Sequence, residues 1–117
     1  MDYVDGYVLP VPKKNLKAYV KMAQEGKKIW LKCGALDYKE CIGDDLKSKF
    51  GMPYTKLMKL KPGETVVFSY IVFKSRAHRD SVNARVMKEL EKADMPKDMP
   101  FDVKRMAYGG FKAAVQA

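Results

Sequence analysis

The ten residues ETVVFSYIVF at positions 64–73 restrict the fold more than any other stretch of the chain. β-Branched and aromatic side chains fill the run, and a Lys-Pro-Gly turn at 61–63 precedes it. Alternate side chains of a strand point to opposite faces. Val66, Phe68, Tyr70 and Val72 therefore share one face, while Val67, Ser69, Ile71 and Phe73 share the other. An antiparallel strand with one wet face alternates apolar with polar. This strand is apolar on both faces, so it belongs at the centre of a sheet with something covering each side.

The other elements follow from similar patterns. YVDGYVLP at 3–10 reads as a strand with Val4 and Val8 on one face and Tyr3, Asp5, Tyr7 and Leu9 on the other, ended by Pro10 and Pro12. Leu16, Tyr19, Val20, Ala23 and Trp30 recur at helical spacing, opposite Lys17, Lys21, Lys28 and Lys32, and Gly34 is a natural stop. ALDYKECI at 35–42 alternates again, and Pro53 suits the start of a short helix. Ser75 caps a helix running to about Leu90, with Val82, Val86 and Leu90 as its inner stripe. DMPKDMPFD at 94–102 reads as a connecting loop. Residues 105–116 return to strand, where the Gly109-Gly110 pair predicts a bulge or a close backbone approach.

The order is β-α-β-β-α-β, an α+β plan of the ferredoxin-like kind: a four-stranded antiparallel sheet, strands in the order 4-1-3-2, helices on one face. Residues 1–117 are the right length for one such domain. Helices on one face leave the other side of 64–73 uncovered, and a second copy packed face to face would cover it, so a homodimer is expected.

The sequence is 47% hydrophobic and 32% charged, which is ordinary for a globular protein. No apolar run approaches the ~20 residues that span a bilayer, and the opening MDYVDGYVL has Asp where a signal peptide has Lys or Arg, so a cytoplasmic location is expected. Cys33 and Cys41 have neither CxxC nor CxH spacing and read as reduced thiols. The net charge of +9 is concentrated in residues 13–32, with seven lysines against Glu25, and in 47–61, with five lysines and no acid. Such segments either attract nucleic acid and other anions or form a solvated lysine coat.

Asp5 is the conspicuous candidate, because a lone carboxylate in a central strand needs a partner. It is either held by Arg105, Arg79 or tyrosine hydroxyls, or it is a general base with a pKa raised by burial. His78, the one histidine, falls in the first turn of the helix after Ser75, where the positive helix end favours a neutral imidazole able to act as a base. Arg79 and Asn83, one turn apart, can point at a single anionic or carbonyl group. Tyr7, Trp30, Tyr70 and Tyr108 either line an aromatic pocket or belong to the core. One histidine and scattered carboxylates give no metal site, and there is no phosphate loop or haem ligand set, so no cofactor is expected.

YVDGYVLPVP at 3–12, GAL at 34–36, PGETVVFSY at 62–70, SRAHRDSVNARVM at 75–87 and MPFDVKRMAYGGF at 99–111 together resemble the YbaA-like family, a domain of unknown function. Arg79, Asp80 and Asn83 match its RD-x-x-N pattern. The resemblance implies the dimeric α+β barrel superfamily, whose members include cofactor-free monooxygenases, haem-degrading enzymes and isomerases, with pockets between sheet and helices. The expected function is binding of a small aromatic or anionic organic ligand there, with cofactor-free monooxygenase- or isomerase-like activity as an extension. The alternatives are a basic RNA-associated protein, stacking bases on Tyr3, Tyr7, Phe68 and Tyr70, or a structural dimer without catalysis.

Overall fold

The computed structural model describes residues 1–93 and 98–117. Strand β1 (Tyr3–Pro12) leads through a 3-10 turn (Lys13–Asn15) into helix α1 (Leu16–Cys33) and strand β2 (Asp37–Ile42). A short helix α2 (Tyr54–Leu57), strand β3 (Glu64–Phe73) and helix α3 (Arg76–Lys92) follow; a second 3-10 turn (Val103–Arg105) then precedes strand β4 (Ala107–Lys112). The sheet runs β2-β3-β1-β4, or 4-1-3-2 from the opposite edge, and every neighbouring pair is antiparallel. Among the described residues, no helix is long and apolar enough to cross a membrane.

Strand alternation divides the sheet cleanly. Tyr3, Asp5, Leu9 and Val11 of β1 and Val67, Ser69, Ile71 and Phe73 of β3 are buried on the side where α1 and α3 pack. Val82 and Val86 of α3 seal one half of this layer, Tyr19 and Ala23 of α1 the other. The far side carries Val4, Val8, Phe68, Tyr70, Val72 and Phe111 around a concavity of about 580 Å³. Phe68 and Phe111 on that side are 42% and 61% exposed.

Local chemistry fixes where the helices begin and end. Gly34 takes φ +117°, and the amides of Gly34 and Ala35 close the α1 terminus onto the Leu31 and Trp30 carbonyls. Leu36 then donates to the Val72 carbonyl, which starts β2 beside β3. At α3, extended Ser75 accepts the His78 amide on its hydroxyl at 3.1 Å, the capping bond read from the sequence.

Two expectations change. Pro10 does not end β1 but lies within it, opposite Val66 of β3; the strand ends at Pro12, opposite Glu64. The pairing of β1 with β4 stops at Val8, so beyond it β1 is an edge. Lys13 donates to Gly63 on the β3 side, so alternation turns the prolines' missing amides to the open edge, where no ladder bond is lost. β4 is shorter than 105–116, because Arg105 sits in the turn before it, bound bidentately to Glu64 at 2.6 and 3.0 Å and to the Met58 and Lys59 carbonyls. Gly109-Gly110 forms no bulge, since the β1–β4 register runs unbroken through it. The close-approach reading fits: Tyr3 lies where a Gly110 side chain would start, whereas at Gly109 a Cβ would meet only the Phe111 ring at 3.5 Å. Of the 94–102 loop, residues 94–97 lie outside the described residues.

Two predictions follow from these contacts. Gly110→Ala displaces Tyr3 and costs about 1–3 kcal/mol in urea unfolding, whereas Gly109→Ala costs little; equal costs would remove the Tyr3 argument. Hydrogen bonds from Arg105 hold the Glu64 carboxyl below the usual carboxylate range. Its stabilisation is therefore complete above the ordinary Glu pKa and fades as pH falls through the lowered native value. Glu64→Gln lowers stability at neutral pH by about 1–2 kcal/mol and flattens the acid side of the stability–pH curve; an unchanged acid limb contradicts the pairing.

Candidate functional site

Odd-numbered residues of β1 face the helices, and there Asp5 is completely buried. Its carboxylate is met by the start of α3. Arg79 Nη1 donates to Oδ1 at 3.2 Å, and Asn83 Nδ2, one turn further on, donates to Oδ2 at 3.3 Å. Arg79 also donates to the hydroxyls of Tyr108, at 2.8 Å, and Tyr3, at 3.3 Å, with its guanidinium 5.0 Å from the Tyr3 ring centroid. Arg79 Nε lies 2.9 Å from Asp80 Oδ1, an ion-pair contact without hydrogen-bond alignment. Asn83 Oδ1 accepts from Trp30 Nε1 at 3.1 Å. The amide orientation is fixed by its neighbours, since the indole can only donate and the carboxylate only accept.

The network therefore joins β1, β4, α1 and α3 through one buried charge pair. Burial opposes the Arg79 charge, but Asp5, Tyr108 and Tyr3 outweigh it and raise the guanidinium pKa above its ordinary value. Burial and then the Asp5 charge push the Tyr7 hydroxyl well above the ordinary tyrosine range, and Tyr108 moves the same way. Both Asp5 oxygens accept from α3 and its charge is met by Arg79, so the arrangement is suited to holding helices on a sheet.

Next to it, between sheet and helices, lies a cavity of about 200 Å³. Trp30 belongs to both, joining the network through its N–H and walling the cavity with its ring. Tyr7, Met22, Phe101 and Met106 supply further apolar wall. The polar feature is Glu40, which β2 alternation turns to the same face as Tyr38. Tyr19 donates to its Oε1 at 2.8 Å and Tyr38 to its Oε2 at 2.6 Å. Burial first, together with the Glu40 charge and hydrogen bonds, raises both hydroxyls far above the ordinary tyrosine pKa. Tyr19, Ala23, Tyr38 and Glu40 also line a second, outer cleft with Gln24 and Lys27.

Of the residues proposed from the sequence, Asp5, Trp30, Arg79, Asn83 and Tyr108 come together. Tyr7 stands beside Tyr108, ring centroids 4.9 Å apart, and lines the cavity. Tyr70 does not join them. As an even-numbered residue of β3 it lies on the opposite side of the sheet, near Phe68 and with Lys39 Nζ 5.7 Å from its ring. His78 is also elsewhere: its Nδ1 accepts the Lys74 amide at 3.0 Å and its ring packs edge-on to Phe73, so it closes the approach to α3. Arg105, the other cation considered for Asp5, is taken by Glu64. Tyr3 and Tyr7, proposed as RNA-stacking surfaces together with Phe68 and Tyr70, lie under the helices. Glu40 and Tyr19 were not picked out as site residues, although the Tyr38-Lys39-Glu40 alternation carries the signal that Glu40 points inward.

A family profile described as "Protein of unknown function (DUF1428)" matches residues 2–103. The "Uncharacterized protein YbaA" of Escherichia coli (strain K12) is 36% identical over 115 residues, covering 98% of each chain, and the protein of the same name from Shigella flexneri matches equally. Among solved structures, "De novo designed protein Foldit4" aligns over 99% of this chain and 100% of its own, with a TM-score of 0.44 and 12% identity, too distant a likeness to argue from.

Removing one member of a buried ion pair strands the other. Asp5→Ala or Arg79→Met each lowers unfolding stability by about 3–5 kcal/mol, and the double variant loses far less than the sum. Additive losses in the urea-unfolding cycle would show that the two side chains are not coupled.

Proposed function

The chain belongs to the DUF1428 family, that of the YbaA proteins, and we propose that it binds a small aromatic molecule in the cavity between sheet and helices. The observation that carries this reading is the cavity itself. Ligand sites are concave and mostly apolar with a few polar groups, and the cleft of about 200 Å³ walled by Trp30, Met22 and Phe101 has that character. The adjoining Asp5 network ties α1 and α3 to the sheet and so holds the walls in place.

The assembly we propose is a cytoplasmic homodimer of ferredoxin-like subunits, two sheets facing each other as in dimeric α+β barrels. Exposed Phe68 and Phe111 on the helix-free side support it, because a contiguous apolar face calls for a cover. The free thiols of Cys33 and Cys41 fit a reducing compartment. Monooxygenase- or isomerase-like chemistry through Asp5 or His78 is the weaker extension, since Asp5 is tied on both oxygens and His78 lies outside the cavity. RNA binding is weaker still, as two of its four aromatics are covered.

Phenethyl alcohol, a neutral probe, should raise the melting temperature and change Trp30 fluorescence, and Ala23→Leu, which fills the cavity, should abolish both. No response in the wild-type protein overturns the binding reading. Light scattering should give twice the chain mass for the wild type and the single-chain mass for Phe111→Glu; a monomeric wild type overturns the dimer.

A further inference from the structure

We infer that the ligand of this cavity is a small aromatic amine, bound in its protonated form, and that Glu40 is the residue that recognises it. This rests on the cavity-binding reading and adds a charge to it. Glu40 is the one charged side chain among the described residues that line the inner cavity. It forms no ion pair among the described residues; Lys27, in the outer cleft, is not bonded to it. Its carboxylate is held only by two neutral hydroxyls, which leave its negative charge uncompensated.

Each carboxylate oxygen has a second acceptor direction free, and the Tyr19 and Tyr38 oxygens, having donated their protons to Glu40, can accept in turn. An ammonium group carries three donors and no acceptor, so it matches this set. Ser69, directly opposite Glu40 in the β2–β3 register, adds a hydroxyl at the cavity floor. Four aromatic rings line the same cavity: Trp30 and Tyr38, tilted with centroids 6.1 Å apart, and Tyr19 and Phe101, edge to face at 5.7 Å. Such rings favour both an aromatic body and a cation.

An anionic ligand, the other class expected from the sequence, meets the wrong sign here. The guanidinium that could have received it, Arg79, already serves Asp5, Tyr3 and Tyr108. The exterior has the opposite bias, with a net charge of +9. Selectivity for a cation therefore has to come from inside the cavity.

Three probes on one skeleton test the inference: phenethylamine, phenethyl alcohol and phenylacetate, each titrated into the full-length protein and followed by Trp30 fluorescence and calorimetry at physiological salt. The amine should bind at least about tenfold more tightly than the alcohol, and the carboxylate most weakly. In Glu40→Gln, which keeps an acceptor for the tyrosines, the amine and the alcohol should bind alike. Phenylacetate binding as well as the amine overturns the inference without any variant, as does an amine preference that survives Glu40→Gln. In those outcomes the alcohol still binds and the cavity reading stands. If none of the three perturbs Trp30 or releases heat, both fall together.

Discussion

A carboxylate with no access to water has to be answered from inside the protein, and at Asp5 the answer organises the molecule. Arg79 and Asn83 reach it only if α3 starts at Ser75 and lies across β1 at the right height. Asn83 then fixes the Trp30 indole, and with it the rotation of α1. The same guanidinium holds the hydroxyls of Tyr3 and Tyr108, so the edge strand β4 is tied to the helix layer as well. Helices that pack on sheets through apolar contacts alone can slide, whereas donor and acceptor geometry cannot be satisfied at neighbouring positions. The cavity walls owe their spacing to this.

Much of this was legible in the sequence because strand alternation and helix caps are local signals. The two-faced run at 64–73, the stop at Gly34 and the cap at Ser75 all depend on residues within a few positions of one another. Tyr70 lies away from the site because parity, not residue type, sets the face of a strand residue, and its side of β3 follows from that of its neighbour Ser69. Pro10 is tolerated inside β1 because the effect of a strand proline depends on whether a partner strand lies beside it, a tertiary fact. Where β4 begins depends on Arg105 meeting Glu64, forty-one positions away, which no local pattern carries. Glu40 sits in a short strand whose neighbours are largely exposed, so its local sequence is that of one more solvated group.

The two sides of the sheet do different work. One is covered by helices around a small, mostly apolar hollow with Glu40 at its wall; the other is a broad apolar concavity with aromatic rings at its surface. They share β1 and β3, so a movement of either central strand is felt on both. The inner hollow and the outer concavity are thus mechanically adjacent, separated by the thickness of one backbone layer.

Tyr3 and Gly110 carry a consequence for how such chains diverge. The ring lies over the glycine, and its hydroxyl is held by Arg79. Any side chain at 110 has to push Tyr3 aside, and a smaller residue at 3 would make room for it but leave Arg79 short of an acceptor. The two sites cannot drift independently. An exchange acceptable at one becomes so only after a change at the other, so evolutionary paths through this corner of the sheet are ordered, and a family alignment should show the pair substituted together.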